Sequence, residues 1–144
     1  SNLPIDSEPK ADAVVLDTVG ELAELYQVAT VVFVGGSLSS WGGHNILEPA
    51  VFGCPIIFGP FMQNFSEIAE TFLRNEAAVQ VQNEREFTEA VINLMADPVY
   101  RARLGASARA LVEANRGAKD KTIEAITSSF PARGAVVRAF RVVR

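Results

Sequence analysis

The chain has 144 residues, 49% of them hydrophobic and 21% charged, with a formal net charge of −4. That length and mix support one domain with a real core, without low-complexity tracts or internal repeats. Its single cysteine, Cys54, excludes an intrachain disulfide and suits a reducing compartment, and no apolar run approaches the roughly 20 residues of a membrane span, so this stretch of chain is expected to be soluble.

Residues 1–12 read as a linker or tag remnant and residues 13–130 as the folded domain. Ala13 to Leu16 is a short apolar run between Asp12 and Asp17, read as a strand. Gly20 to Ala29 carries Leu22, Leu25, Tyr26 and Ala29 at helical spacing, and Val31 to Val34 predicts a second strand. Ile46 to Phe52 predicts a short helix closed by Gly53, a residue suited to a left-handed C-terminal position. Pro55 to Phe58 is a third strand, Phe65 to Leu73 a helix and Val79 to Val81 a fourth strand. Three helices follow, over Glu84 to Met95, Pro98 to Ala114 and Ala118 to Ser128. Strands without polar alternation, set between amphipathic helices, imply an α/β fold with a parallel sheet covered on both faces. All 17 acidic residues precede residue 131, whereas 131–144 holds Arg133, Arg138, Arg141 and Arg144 and no acid. This tail fits a solvated terminus, an edge strand or a stretch drawn to anionic lipid. The body has no basic face interleaved with aromatics, so nucleic acid is not an expected partner.

The segment Gly35 to Pro60, GGSLSSWGGHNILEPAVFGCPIIFGP, contains six of the ten glycines and the only His, Trp and Cys of the chain. Glycine supplies no packing and costs backbone entropy, so such a cluster serves tight turns or close backbone approach to a ligand. Strand, glycine-rich loop and helix in that order aim backbone N–H groups and a helix dipole at an anion. In parallel sheets ligands sit beyond the carboxyl ends of the strands. Gly35-Gly36 and Gly59-Pro60 each follow a strand and are therefore expected to meet there, with the loop 37–45 above them.

Chemistry-bearing residues in this stretch are few. Asn45 and Glu48, three apart, fit a capping box, and they equally fit a pair in which Glu48 takes ribose hydroxyls while Asn45 and the amides of Gly42 to Asn45 hold a phosphate. His44 fits a phosphate contact, an acid/base group or a ring packed on Trp41. One His and one Cys cannot build a closed metal site, and Cys54 reads as a small buried hydrophobe.

Taken in series, the segments DTVGELAELY (Asp17 to Tyr26), FVGGSL (Phe33 to Leu38), GGHNILEPAVFGCPIIFGP (Gly42 to Pro60), NF (Asn64, Phe65) and NRGA (Asn115 to Ala118) closely resemble the C-terminal half of 3-deoxy-D-manno-octulosonic acid (Kdo) transferases. The resemblance covers residues 13 to 128 and says nothing about the tail. It implies a Rossmann-like nucleotide-sugar-binding domain, the C-terminal half of a two-domain GT-B glycosyltransferase. Such enzymes move Kdo from CMP-Kdo to the lipid A precursor in lipopolysaccharide assembly of Gram-negative bacteria, on the cytoplasmic face of the inner membrane, without a metal or other cofactor. The resemblance assigns Gly35, Gly36 and Ser37 to the donor cleft, Gly42, Gly43, His44 and Asn45 to the phosphate and Glu48 to the ribose. Asn64 touches the donor, braces the cleft or serves as a plain helix N-cap. Phe61 and Gln63 depart from the family's pattern. By the same resemblance the catalytic carboxylate, the acceptor groove and the membrane anchor belong to an N-terminal domain, so no catalytic residue is expected in this stretch, which would bind the donor without transferring Kdo by itself. An incomplete sheet with an exposed edge would further favour self-association.

Two alternatives remain. A UDP-dependent GT-B glycosyltransferase or nucleotide-sugar epimerase would keep Glu48 and the glycines. A nonenzymatic module of flavodoxin-like shape would use Asn45 and Glu48 only as a cap.

Overall fold

The computed structural model describes residues 13, 15–17 and 20–129, the last thirteen of these as backbone only. The expected linker at 1–12 and basic tail at 131–144 lie outside the described residues.

Among the described residues, three parallel strands, β1 (Val32–Phe33), β2 (Ile56–Phe58) and β3 (Val79–Gln80), stand in the order β1-β2-β3. Val32 lies opposite Ile56, and Ile57 opposite Val79. Helices α1 (Leu22–Val28), α2 (Leu47–Val51), α3 (Ser66–Arg74), α4 (Glu84–Ala96) and α5 (Pro98–Ser129) surround them, with a 3-10 turn at Gln63–Phe65. Two crossovers that step the same way along a parallel sheet place their helices on one face, and α2 and α3 do so.

Side-chain alternation along the central strand splits the core into two layers. Ile56 and Phe58 join Ile46, Ala50, Met62, Ala69 and Phe72 beneath α2 and α3. Ile57 points the other way, to Val81, Leu94 and Leu104 beneath α4 and α5. All three β2 residues are fully buried; at about 1.5–3 kcal/mol for each large side chain removed from water, this strand anchors the fold. Helix α5 serves both layers, with Leu104 in one and Ala108 and Val112 in the other.

Helix ends follow local chemistry. Gly53, at φ +70°, closes α2 in a Schellman motif: its N–H donates to Ala50 O and that of Cys54 to Pro49 O. Glu76, at φ +49°, does the same for α3, its N–H donating to Leu73 O and that of Ala77 to Phe72 O. Asn83 caps α4 by accepting from Glu86 N, and Asp97 Oδ1 accepts from Val99 N and Tyr100 N at the start of α5.

Two sequence expectations change. Ala13 and Val15 to Leu16 lie outside any strand, and Val15 is 88% exposed; a short apolar run makes a strand only where a neighbour pairs with it. The two helices expected over 98–128 are one, because Gly117 alone costs only about 1 kcal/mol in a helix interior and no proline lies between Ala114 and Ala118 to break it. Helix α1 forms where periodicity placed it but buries none of its residues, and is tied down through Tyr26, whose ring centroid lies 6.0 Å from that of Phe52 and whose carbonyl accepts from Cys54 Sγ at 3.1 Å.

Candidate functional site

The loops after β1 and β2 meet, and Ser37 joins them. Its hydroxyl donates to Val34 O and accepts from Gly59 N at 2.8 Å, while its carbonyl accepts from Phe61 N at 3.0 Å. Gly59 runs so close that a Cβ there would collide with the Ser37 carbonyl. The side chain of Ser37, wholly buried, therefore does not line the cleft as expected. It braces the carboxyl ends of two strands, and residues later in the same loop shape the cleft.

Three glycines of that loop hold conformations that side chains rarely adopt: Gly36 at φ +71°, Gly42 at +90° and Gly43 at +70°. A Cβ on Gly42 would stand 2.6 Å from Asn64 Nδ2, and one on Gly43 would meet Met62 Sδ. Asn64 completes the arrangement from the other loop, donating from Nδ2 to Trp41 O at 3.4 Å and from its own N–H to Gly42 O at 3.3 Å. It sits within the 3-10 turn as a loop-to-loop tie, and the N-cap position of α3 falls to Phe65.

Between these loops opens a cleft of about 590 Å³, lined by Gly36, Ser39, Trp41, Gly43, His44, Asn64 and Phe65. Its size is that of a small-molecule site. Of the residues singled out in the sequence, Gly36, Gly43, His44 and Asn64 lie on its walls; Gly35 and Gly42 are in the loops that carry them. His44 is exposed at this wall. Ser39, Trp41 and Phe65 were not singled out as contacts. The available signal was a lone tryptophan between a serine pair and a glycine pair.

Asn45 and Glu48 stand beside the cleft at the start of α2. Asn45 Oδ1 accepts from Leu47 N at 3.0 Å and Nδ2 donates to Glu48 Oε1 at 3.3 Å. The reciprocal capping box does not form: the N-cap position falls to Ile46, already helical in its dihedrals, and the two side chains bond each other. Glu48 is exposed, and its charge helps raise the Tyr26 phenol after burial of that ring. With only five residues in α2, the helix dipole is weak, so the turn amides of Gly42 to Asn45 carry most of any attraction for an anion. Among the described residues no three His, Cys, Asp or Glu side chains gather as metal ligands would, and no helix is long and apolar enough to cross a membrane.

No protein-family model matches the chain. It is 34% identical over 118 residues to the 3-deoxy-D-manno-octulosonic acid transferase of Bordetella pertussis, covering 82% of this chain and 28% of that protein. The transferase of the same name from Rickettsia felis is 38% identical over 130 residues, covering 88% of this chain and 27% of that protein. The crystal structure of the C-terminal CMP-Kdo binding domain of WaaA from Acinetobacter baumannii superposes with a TM-score of 0.63 at 36% identity, covering 67% of this chain and 51% of that one. The aligned part of this chain thus spans just over a quarter of the length of these two curated relatives.

Proposed function

The chain belongs to the Kdo transferase family, where it corresponds to part of the C-terminal Rossmann-like domain, and from that premise we propose that its glycine-walled cleft is the donor site for CMP-Kdo. One observation carries the reading: a chain 36% identical to a CMP-Kdo binding domain holds an open cleft where the loops after two parallel strands meet.

In this reading the amides of Gly42 to Asn45 hold the donor phosphate, His44 contacts it from the cleft wall, and Glu48 accepts hydrogen bonds from the ribose hydroxyls, its carboxylate held near Asn45. No metal takes part. The fixed N–H dipoles stabilise charge on CMP as it leaves, a role that grows in the transition state because the glycine loop is already in place. The whole protein transfers Kdo to the lipid A precursor on the cytoplasmic face of the inner membrane. An acceptor hydroxyl attacks the anomeric carbon, the bond from that carbon to the phosphate oxygen breaks, and a general base outside this chain removes the proton.

The test is titration of the 144-residue chain with CMP against UDP, followed by amide shifts. CMP-selective shifts on residues 35–37 and 42–48 support the donor site. Equal or stronger response to UDP favours a UDP-sugar enzyme, and no response to either nucleotide overturns the reading.

A further inference from the structure

Trp41 is 83% exposed and stands on the wall of the cleft. A large aromatic ring left in water forgoes substantial burial energy. The backbone around it is nevertheless tightly held: Trp41 N donates to Ser39 O at 2.8 Å, Trp41 O accepts from Asn64 Nδ2, and a Cβ on Gly36 would come within 3.3 Å of Trp41 Cβ. The loop thus holds the backbone and Cβ of Trp41 in a defined place on the cleft wall.

The division of the cleft decides what the ring faces. Glu48 does not line the cleft, whereas Trp41 and His44 do. With the ribose at Glu48 and the phosphate on the amides of Gly42 to Asn45, the cleft itself is left for the part of the donor beyond the phosphate. Its walls suit a carbohydrate: aromatic surface from Trp41 and Phe65 for the C–H face of a ring, and a hydroxyl and a carboxamide from Ser39 and Asn64 for the sugar hydroxyls, with the His44 imidazole at the phosphate end. Among the described residues no Lys, Arg, Asp or Glu lines it.

We infer that Trp41 is a positioning residue for the sugar of the nucleotide-sugar donor, the indole forming the wall against which the sugar ring lies. The inference rests on the donor-site reading. It places the nucleotide on one side of the glycine loop and the sugar on the other.

Trp41 is the only tryptophan, so its fluorescence reports on this position alone. The experiment compares CMP and CMP-Kdo binding to the 144-residue chain and to its Trp41→Ala and Trp41→Phe variants, by calorimetry and by emission of the parent. CMP-Kdo is expected to shift the emission and CMP alone to leave it nearly unchanged. Trp41→Ala is expected to weaken CMP-Kdo about tenfold while changing CMP less than about twofold, and Trp41→Phe to restore most of the loss. CMP binding that quenches the tryptophan, or equal weakening of both ligands in Trp41→Ala, places the base on the indole and overturns the inference while leaving the donor site standing. Unchanged CMP-Kdo affinity in Trp41→Ala overturns it likewise. Failure of both ligands to bind the parent chain overturns the donor site and the inference together. The exposure of the ring keeps folding out of the comparison, and matching melting curves of the variants check that.

Discussion

Ser37 Oγ accepts the N–H of Gly59 across 22 positions of sequence and donates to Val34 O, so one buried hydroxyl joins the carboxyl ends of β1 and β2. Ser37→Ala would leave a buried N–H and a buried carbonyl without that partner, at a cost of about 1–3 kcal/mol. Urea denaturation measures it. A loss below about 0.5 kcal/mol would mean that backbone contacts alone hold the two loops.

Gly105 sits inside α5, where an exposed Gly→Ala change gains up to about 1 kcal/mol from helix propensity. Here a Cβ would strike the Gly53 carbonyl. Gly105→Ala is therefore expected to destabilise by about 1–3 kcal/mol, because the helix must lift off the turn between α2 and β2. Thermal melting with unchanged or raised stability would show that this contact yields easily.

Glu76 occupies the left-handed position that ends α3. The strain of a side chain there, about 1–2 kcal/mol, exceeds the entropy a glycine adds to the unfolded chain, about 0.4–1 kcal/mol, so Glu76→Gly is expected to stabilise by roughly 0.5 kcal/mol. Its exposed ion pair with Arg103, at 3.6 Å, is worth too little to reverse the sign. Glu76→Ala, which keeps the Cβ, serves as the control and should show no gain in the denaturation midpoint.

Burial pushes the Cys54 thiol above its ordinary 9.0, and burial, then the charges of Glu48 and Cys54, push the Tyr26 phenol above 10.0. Both groups hold their protons longer in the folded chain, so between the ordinary and the raised values the folded state binds more protons and stability falls as pH rises. Their contribution is complete below pH 9 and is lost as pH climbs through the raised values. Denaturation midpoints from pH 8 to 11 should fall, and Cys54→Ala should flatten the first part of that fall. The native thiol should also alkylate far more slowly at pH 8 than the thiol of the urea-unfolded chain; equal rates would contradict its burial.

Glu48 is exposed and its single described bond, to Asn45, is 3.3 Å long. Glu48→Gln should leave stability within about 0.5 kcal/mol while weakening CMP about tenfold. The converse result, lost stability with intact CMP binding, would make the pair a structural cap.

Much of this protein was written in local chemistry. The helices over Leu22–Val28, Ser66–Arg74 and Glu84–Ala96, the stop at Gly53 and the parallel strands at Val32, Ile56 and Val79 all follow from spacing, capping and apolar runs, because each depends on neighbours a few residues away. The glycine-rich stretch also marked the place of the cleft, since its turns need residues free to take positive φ. Tertiary structure alone decided which side chains face that cleft. Ser37 left it because a hydroxyl at the meeting of two loops is held by Val34 and Gly59. Trp41 stands on the cleft wall, its carbonyl held by Asn64 from a distant loop. Asn45 and Glu48 turned to each other because α2 starts at Leu47. Spacing assigns residues to an element; the partners of a polar side chain are set by elements that the chain brings together only when it folds.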